Sequence, residues 1–208
     1  KADVVLLYIG LDEISESEGL DRPNMKLPGS QIRLLQMVSE ANPHVVAVLS
    51  GGSPIEMPWI GQCEAVIHGY LSGQAGAAAM LNAILGKVNP SGKLNETYPL
   101  AYEDVPSAPY FPSRERNAEY REGLYVGYRY FETVGKPVRF PFGYGLSYTT
   151  FTYSDLTVNE QEASFTLANT GEMDGAETAQ LYVRAKCSGV YRPAKELKGF
   201  RKVFLKAG

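Results

Sequence analysis

Over the first hundred residues, unbroken apolar runs of strand length alternate with stretches of helical period. Val4 to Ile9 is the first such run, and a polar stretch follows it. Pro28-Gly29-Ser30 then opens a segment in which Ile32, Leu35, Val38 and Met37 or Ala41 recur at helical spacing, ended by Asn42-Pro43. Val45 to Leu49 is a second apolar run, closed by Ser50-Gly51-Gly52-Ser53-Pro54, and Ala65 to Leu71 is a third. Ser72-Gly73-Gln74 opens a helix from Ala75 to Leu85, terminated by Gly86 and the turn Asn89-Pro90-Ser91-Gly92. Strands without polar alternation are buried on both faces, as in a parallel sheet between helix layers. The expectation for residues 1–98 is therefore an α/β fold, a mostly parallel-sheet three-layer αβα sandwich.

From Pro99 to Ser147 the pattern lapses. Pro106, Pro109, Pro112, Pro137 and Pro141 punctuate a Tyr-rich stretch too long for an ordinary connection, which predicts a linker, residues 99–147, wrapped over the first domain. Within it, the alternation of Tyr125, Tyr128 and Tyr130 reads as a strand. After Tyr148 short period-two runs follow one another: Phe151 to Val158, Ala163 to Ala168, Thr178 to Arg184 and Leu197 to Leu205. These predict an incomplete all-β sandwich over residues 148–208. The chain enters its first strand at once and stops at the turn-like Lys206-Ala207-Gly208, so further elements are expected beyond both ends.

Composition narrows the function classes. The 208 residues are 44% hydrophobic and 21% charged, with a formal net charge of -3. Lys and Arg are scattered among the acids, which gives a phosphate backbone no basic face to select, so no nucleic acid is expected as partner. No apolar run approaches the ~20 residues of a membrane helix, and no charged-then-apolar leader opens the chain; no membrane association is expected. Cys63 and Cys187 stand alone, and His44 and His68 have no cysteines nearby. Neither a disulfide framework nor a zinc spacing follows, and no metal or cofactor is expected.

Several motifs invite a chemical reading. Gly86 to Gly92-Lys93 has the wrong spacing for a phosphate loop and lacks the hydroxyl residue after its lysine. Gly69, Gly73 and Gly76 lie at a strand-to-helix junction that could hold an anion, but close helix packing explains them better. Ser50 and Ser53 lack the spacing of a nucleophile elbow. More informative is Asp12 to Arg22, which gathers five acids and one arginine after the carboxyl end of the first strand, the edge where open α/β sheets place their sites. Such a loop is ordinarily a solvated face, and spacing alone does not choose among Glu13, Glu16 and Glu18.

Ser17-Glu18-Gly19-Leu20-Asp21-Arg22, followed by Met25-Lys26-Leu27-Pro28 and a helix, resembles the acid/base loop of glycoside hydrolase family 3, whose best known members are β-glucosidases. Gly73-Gln74-Ala75-Gly76, Asn89 to Leu94 and Glu122 to Tyr130 resemble further segments of that family in the expected order. The most specific string is Phe140-Pro141-Phe142-Gly143-Tyr144-Gly145-Leu146-Ser147-Tyr148-Thr149-Thr150-Phe151. Asn169-Thr170-Gly171, Gln180 to Val183 and Lys195 to Phe200 are similar to the family's fibronectin type III-like domain.

The resemblance implies part of a retaining, exo-acting glycosidase acting on a β-linked glycoside or oligosaccharide. Matched residue by residue, it gives Glu18 the role of general acid/base, with Glu16 as the fallback. Asp21 and Arg22 are expected chiefly to fix the loop, with sugar binding as their second role. The family's nucleophile belongs to a TIM-type barrel domain of the same enzyme, for which this chain has no counterpart, so the chain alone is expected to be inactive. The alternative is a non-catalytic carbohydrate-binding or scaffolding module. Homo-oligomerisation, the choice of sugar, and a cytoplasmic or secreted location are left open by the sequence.

Overall fold

The computed structural model describes residues 2–208; Lys1, counted above in the first domain, lies outside them. Three strands, β1 (Val5–Gly10), β2 (Val45–Ser50) and β3 (Ala65–His68), form a parallel sheet in the order β1-β2-β3. The register pairs Leu7 with Ala47 and Ile9 with Leu49, and Leu49 in turn with His68. One face therefore carries Leu7, Ile9, Val45, Ala47 and Leu49, all buried. Helix α1 (Gly29–Ala41) joins this core through fully buried Leu35, flanked by partly buried Ile32 and Val38. Met37 and Ala41, the alternatives for a further core position, are both exposed.

The β2–β3 connection is not an α-helix. It runs through the core with Ile55, Met57 and Trp59 buried, and includes a single 3₁₀ turn at Ile60–Gln62. Helix α2 (Gly76–Ile84) follows β3, and its Met80 lies against Gly69.

The structure corrects three expectations. β1 is buried on one face only: Leu6 and Tyr8 point to the other side and are exposed, because no element among the described residues covers them there. β3 ends at His68 rather than Leu71, since Tyr70 adopts a left-handed backbone (φ 52°) that cannot continue a strand. The tyrosine segment forms helix α3 (Tyr128–Val134), not a strand. Tyr128 and Phe131, three residues apart, are its buried pair, so the operative period is helical and the alternation of tyrosines is incidental.

The linker is tied down by a two-stranded antiparallel sheet, β4 (Tyr98–Pro99) with β5 (Val138–Phe140). The remaining strands form two antiparallel pairs, β6 (Phe151–Val158) with β7 (Ala163–Asn169), and β8 (Gly175–Val183) with β9 (Glu196–Leu205). Their apolar side chains include exposed Leu156, Val158, Phe165, Phe200 and Phe204.

Side chains from the α/β part clasp this all-β part. Asn89 donates to the Asp174 carbonyl at 3.1 Å and accepts from the Ser147 hydroxyl at 2.9 Å and the Tyr148 amide at 2.8 Å. Lys93 donates to the Gly145 carbonyl at 2.7 Å and pairs with Glu177 at 2.9 Å, with side-chain exposures of 16% and 13%. A half-buried pair of this kind depends on keeping both partners, because removing one leaves the other charge desolvated. Tyr128 Oη accepts from the Leu197 amide at 2.8 Å, joining α3 to β9.

Two stability predictions follow from this packing. Leu35→Ala is expected to destabilise by about 2–5 kcal/mol, read as a lower denaturant midpoint at unchanged slope. Asn89→Ala strands three backbone or hydroxyl partners, and limited proteolysis is expected to cut near residues 145–149 faster than in the parent; an unchanged cleavage rate would show the clasp to be dispensable.

Candidate active site

Parallel pairing brings the carboxyl ends of β1 and β2 together, with Gly10 beside Ser50, so the loops leaving the two strands emerge side by side. Gln31 of α1 fastens the exit of β1. Its Nε2 donates to the Gly10 carbonyl at 2.9 Å, and its Oε1 accepts from the Gly10 amide at 2.8 Å. Leu11 N extends the pairing to the Ser50 carbonyl at 3.0 Å. The acidic loop therefore starts from a fixed point.

Its first turn is local. Asp12 Oδ1 accepts from the Ser15 amide at 2.8 Å, and the Asp12 carbonyl accepts from Ser15 N and Glu16 N at 3.0 and 2.9 Å. The Ser15 contacts hold the Asp12 carboxyl below its ordinary value. Glu16 then turns inward, toward the loop after β2. Its Oε2 accepts from the Gly52 amide at 2.7 Å and its Oε1 from the Ser53 hydroxyl at 2.7 Å.

Arg22, at the far end of the loop, reaches the same place. Its Nη1 donates to Ser53 Oγ, lies 3.4 Å from the Pro54 carbonyl, and sits 3.9 Å from Glu16 Oε1. The Ser53 hydroxyl thus bridges the two charges: it accepts from the guanidinium and donates to the carboxylate. Arg22 Nη2 is buried without a hydrogen-bond partner. Burial pulls the guanidinium below its ordinary value, against the opposing attraction of Glu16 and Glu96.

Between these anchors lies Ser17 to Asp21. One backbone bond, Leu20 N to the Ser17 carbonyl at 3.3 Å, closes a turn, and Gly19 takes the left-handed conformation (φ 78°) that this turn requires. Glu18 stands on the turn, solvent-exposed, and among the described residues its carboxylate joins none of the bonds that organise the loop. Asp21 is exposed as well. Glu13, the third candidate acid, is exposed in the preceding turn.

A second polar group lies behind the anchors, at the end of β3. His68 Nδ1 donates to the Leu49 carbonyl at 3.2 Å, and its Nε2 accepts from Tyr98 Oη at 2.7 Å. Both ring nitrogens are thus used in the neutral form, consistent with burial lowering the His68 pKa. Tyr70 packs against His68 with ring centroids 3.9 Å apart and the rings tilted by 37°, and its buried hydroxyl lies near Tyr98 and Glu96 without hydrogen-bond geometry to either. Burial raises the Glu96 carboxyl, opposed by the Tyr70 hydroxyl and by Arg22.

The sequence pattern had not singled out Glu96 or Tyr70, and Ser53 had entered it only as a rejected nucleophile. The usable signal for Ser53 was its place after the carboxyl end of β2, the neighbour of β1. Two open depressions, of about 300 and 290 Å³, lie elsewhere, around Tyr153 and Tyr182 and around Phe131 and Lys136. Their charged side chains are taken up in ion pairs, Lys195 with Glu132, Glu177 with Lys93 and Lys136 with Asp104, and neither cleft contains Glu18. Among the described residues no three His, Cys, Asp or Glu side chains gather in a way that could hold a metal ion, and no helix is long and apolar enough to cross a membrane.

Comparison with known proteins bears on this geometry. Residues 1–148 match the Glycosyl hydrolase family 3 C-terminal domain, and residues 177–208 match a Fibronectin type III-like domain. Over its whole length the chain is 47% identical to the Thermostable beta-glucosidase B of Acetivibrio thermocellus, of which it spans 28%. It is also 47% identical to an Exo-alpha-(1->6)-L-arabinopyranosidase of Bifidobacterium breve, again spanning 28% of that protein. The crystal structure of a Bifidobacterium adolescentis GH3 beta-glucosidase superposes with a TM-score of 0.96 at 46% identity, over 99% of this chain and 32% of that one. The chain thus spans well under half the length of these relatives. On the match over residues 1–148, the chain belongs to glycosyl hydrolase family 3, as that family's C-terminal domain.

Proposed function

We propose that this chain is part of a retaining, exo-acting glycoside hydrolase of the β-glucosidase type and that Glu18 is its general acid/base. Residues 1–98 form the greater part of an αβα sandwich, residues 99–147 strap it, and residues 148–208 begin a fibronectin type III-like sandwich. The nucleophile stands on a barrel domain of the same enzyme, and the substrate is a β-linked glycoside or oligosaccharide.

One observation carries the assignment of roles. Of the acid/base candidate and its fallback, Glu16 has both oxygens engaged as acceptors from protein donors, whereas Glu18, on a solvent-exposed glycine turn, makes no side-chain bond among the described residues. An acid/base must lend its proton to a leaving oxygen outside its own fold and take one back from water, which an internally bonded carboxylate does poorly. In retaining hydrolysis the two carboxyl groups stand about 5–5.5 Å apart across the scissile bond. An acid that is covered by sugar and placed near a negatively charged nucleophile keeps its proton at neutral pH, then acts as base once it has given that proton away.

Sugar choice rests chiefly on residues outside this chain. In support, the chain is as similar to a relative named for a β-glucoside as to one named for an α-L-arabinopyranoside, at 47% identity to each. Arg22 contributes to the loop more than to the sugar, given that its guanidinium is spent on Ser53 and Glu16, whereas exposed Asp21 makes no side-chain bond to the loop among the described residues.

Two measurements test the proposal. In the full-length protein Glu18→Ala is expected to cut kcat/KM for phenyl glycosides by about 10²–10⁴-fold while largely sparing dinitrophenyl glycosides, whose leaving groups need no proton. Azide is expected to restore turnover of the dinitrophenyl substrates and to yield the β-glycosyl azide. A Glu18→Ala enzyme as active as the parent on phenyl glycosides would instead mark this chain as a non-catalytic sugar-binding or scaffolding module. Separately, residues 1–208 expressed alone are expected to show no aryl-glycosidase activity; turnover by them would overturn the split site.

A further inference from the structure

We propose that Glu16, Ser53 and Arg22 form a clamp that positions the Glu18 loop, with Ser53 as its keystone, and that Glu16 serves proton transfer only by holding Glu18 in place. The proposal rests on the reading of Glu18 as acid/base and adds positioning residues to it.

The two ends of the loop converge on one hydroxyl. Glu16, before the turn, accepts from Ser53 Oγ at 2.7 Å; Arg22, after it, donates to the same oxygen. With carboxylate and guanidinium 3.9 Å apart, the direct ion pair is long, and the hydroxyl is what couples them. Their side chains are 21% and 17% exposed, so solvent screens the pair only in part. The second carboxylate oxygen takes the Gly52 amide at 2.7 Å. That approach depends on glycine: a Cβ at residue 52 would lie 3.2 Å from Glu16 Oε1 and 2.9 Å from Leu71 Cδ1.

Everything between the anchors is weakly held. Ser17 to Asp21 contributes one long backbone bond and exposed side chains, with no apolar anchor of its own: Leu20 is 64% exposed. The direction in which Glu18 points is therefore set at the clamp. Proton transfer is steep in geometry, and a misplacement of roughly 1 Å can cost on the order of 10²-fold in rate. Arg22 is held by Ser53 and the Pro54 carbonyl on the loop after β2, so the clamp is seated on the end of the sheet and not on the acidic loop alone.

The test uses the full-length enzyme and reads kcat/KM, which reports glycosylation, for a phenyl and a 2,4-dinitrophenyl glycoside of its preferred sugar. Ser53→Ala is expected to lower kcat/KM for the phenyl glycoside by about 10–100-fold and for the dinitrophenyl glycoside by no more than about 3-fold. Ser53→Thr, which keeps the hydroxyl, is expected to recover most of the loss. Glu16→Gln, which keeps size but not charge, should share the leaving-group signature and serves where Ser53→Ala folds poorly by thermal unfolding.

Glu18→Ala run in parallel separates the two layers. If Glu18→Ala shows the leaving-group selectivity while Ser53→Ala and Glu16→Gln lose both substrates equally, or neither, the clamp is overturned and the acid/base assignment stands. If Glu18→Ala shows no selectivity, the acid/base assignment falls and the clamp's role falls with it.

Discussion

A guanidinium drawn largely out of water is the constraint around which the loop after β1 is arranged. Arg22 loses hydration on burial, and the cost is offset only if negative or accepting groups surround it. Glu16, the Ser53 hydroxyl and the Pro54 carbonyl supply that environment at close range, and Glu96 adds a longer-range attraction. Glu16 belongs to the loop after β1 and Ser53 and Pro54 to the loop after β2, and what brings the two loops together is the parallel register that sets Gly10 beside Ser50. Shifting that pairing by one residue would move Ser53 away from Glu16 and leave the arginine buried without its bridge. Loop conformation and sheet register are thus one problem, solved at the carboxyl edge of the sheet.

The same economy appears at the seam between the α/β and all-β parts. Asn89 and Lys93 follow α2, and both reach across to backbone carbonyls, Lys93 also to Glu177. Tyr153 Oη adds a 3.0 Å bond to that carboxylate, and burial together with Glu177 pushes the tyrosine up to about 12. A carboxylate held by a lysine and a phenol at a half-buried boundary fixes the two parts in one orientation, because its partners belong to different elements.

How far the chain could be read without coordinates depended on the range of the interaction concerned. β2 was legible because a fully apolar run has one stable environment, and observed β2 (Val45–Ser50) matches it almost residue for residue. The strands of the all-β part were legible from their alternation and bounding turns. Tyr125, Tyr128 and Tyr130 misled, since spacings of three and two fit a strand no better than a helix, and only the burial of Phe131 beside Tyr128 discriminates. The exposed side of β1 was invisible for another reason: an apolar residue states that a face wants cover, not that this chain provides it. Spacing alone could not separate Glu16 from Glu18, which only the family resemblance ranked, because their difference is made by Ser53, more than thirty positions away.

That long-range origin also explains how the loop can combine two properties that usually conflict. A proton donor serving a site on a neighbouring domain has to be exposed, yet an exposed glutamate on a glycine turn samples many orientations and loses the entropy of each when it acts. Tying the turn at both ends to one serine shortens the mobile segment without covering the carboxylate, so the donor remains accessible while its base is fixed. Internal bonding of Glu18 itself would have rigidified the loop at the expense of the proton it is proposed to give. Placing the bonding two positions before it, on Glu16, and four after it, on Arg22, keeps order and availability on different residues.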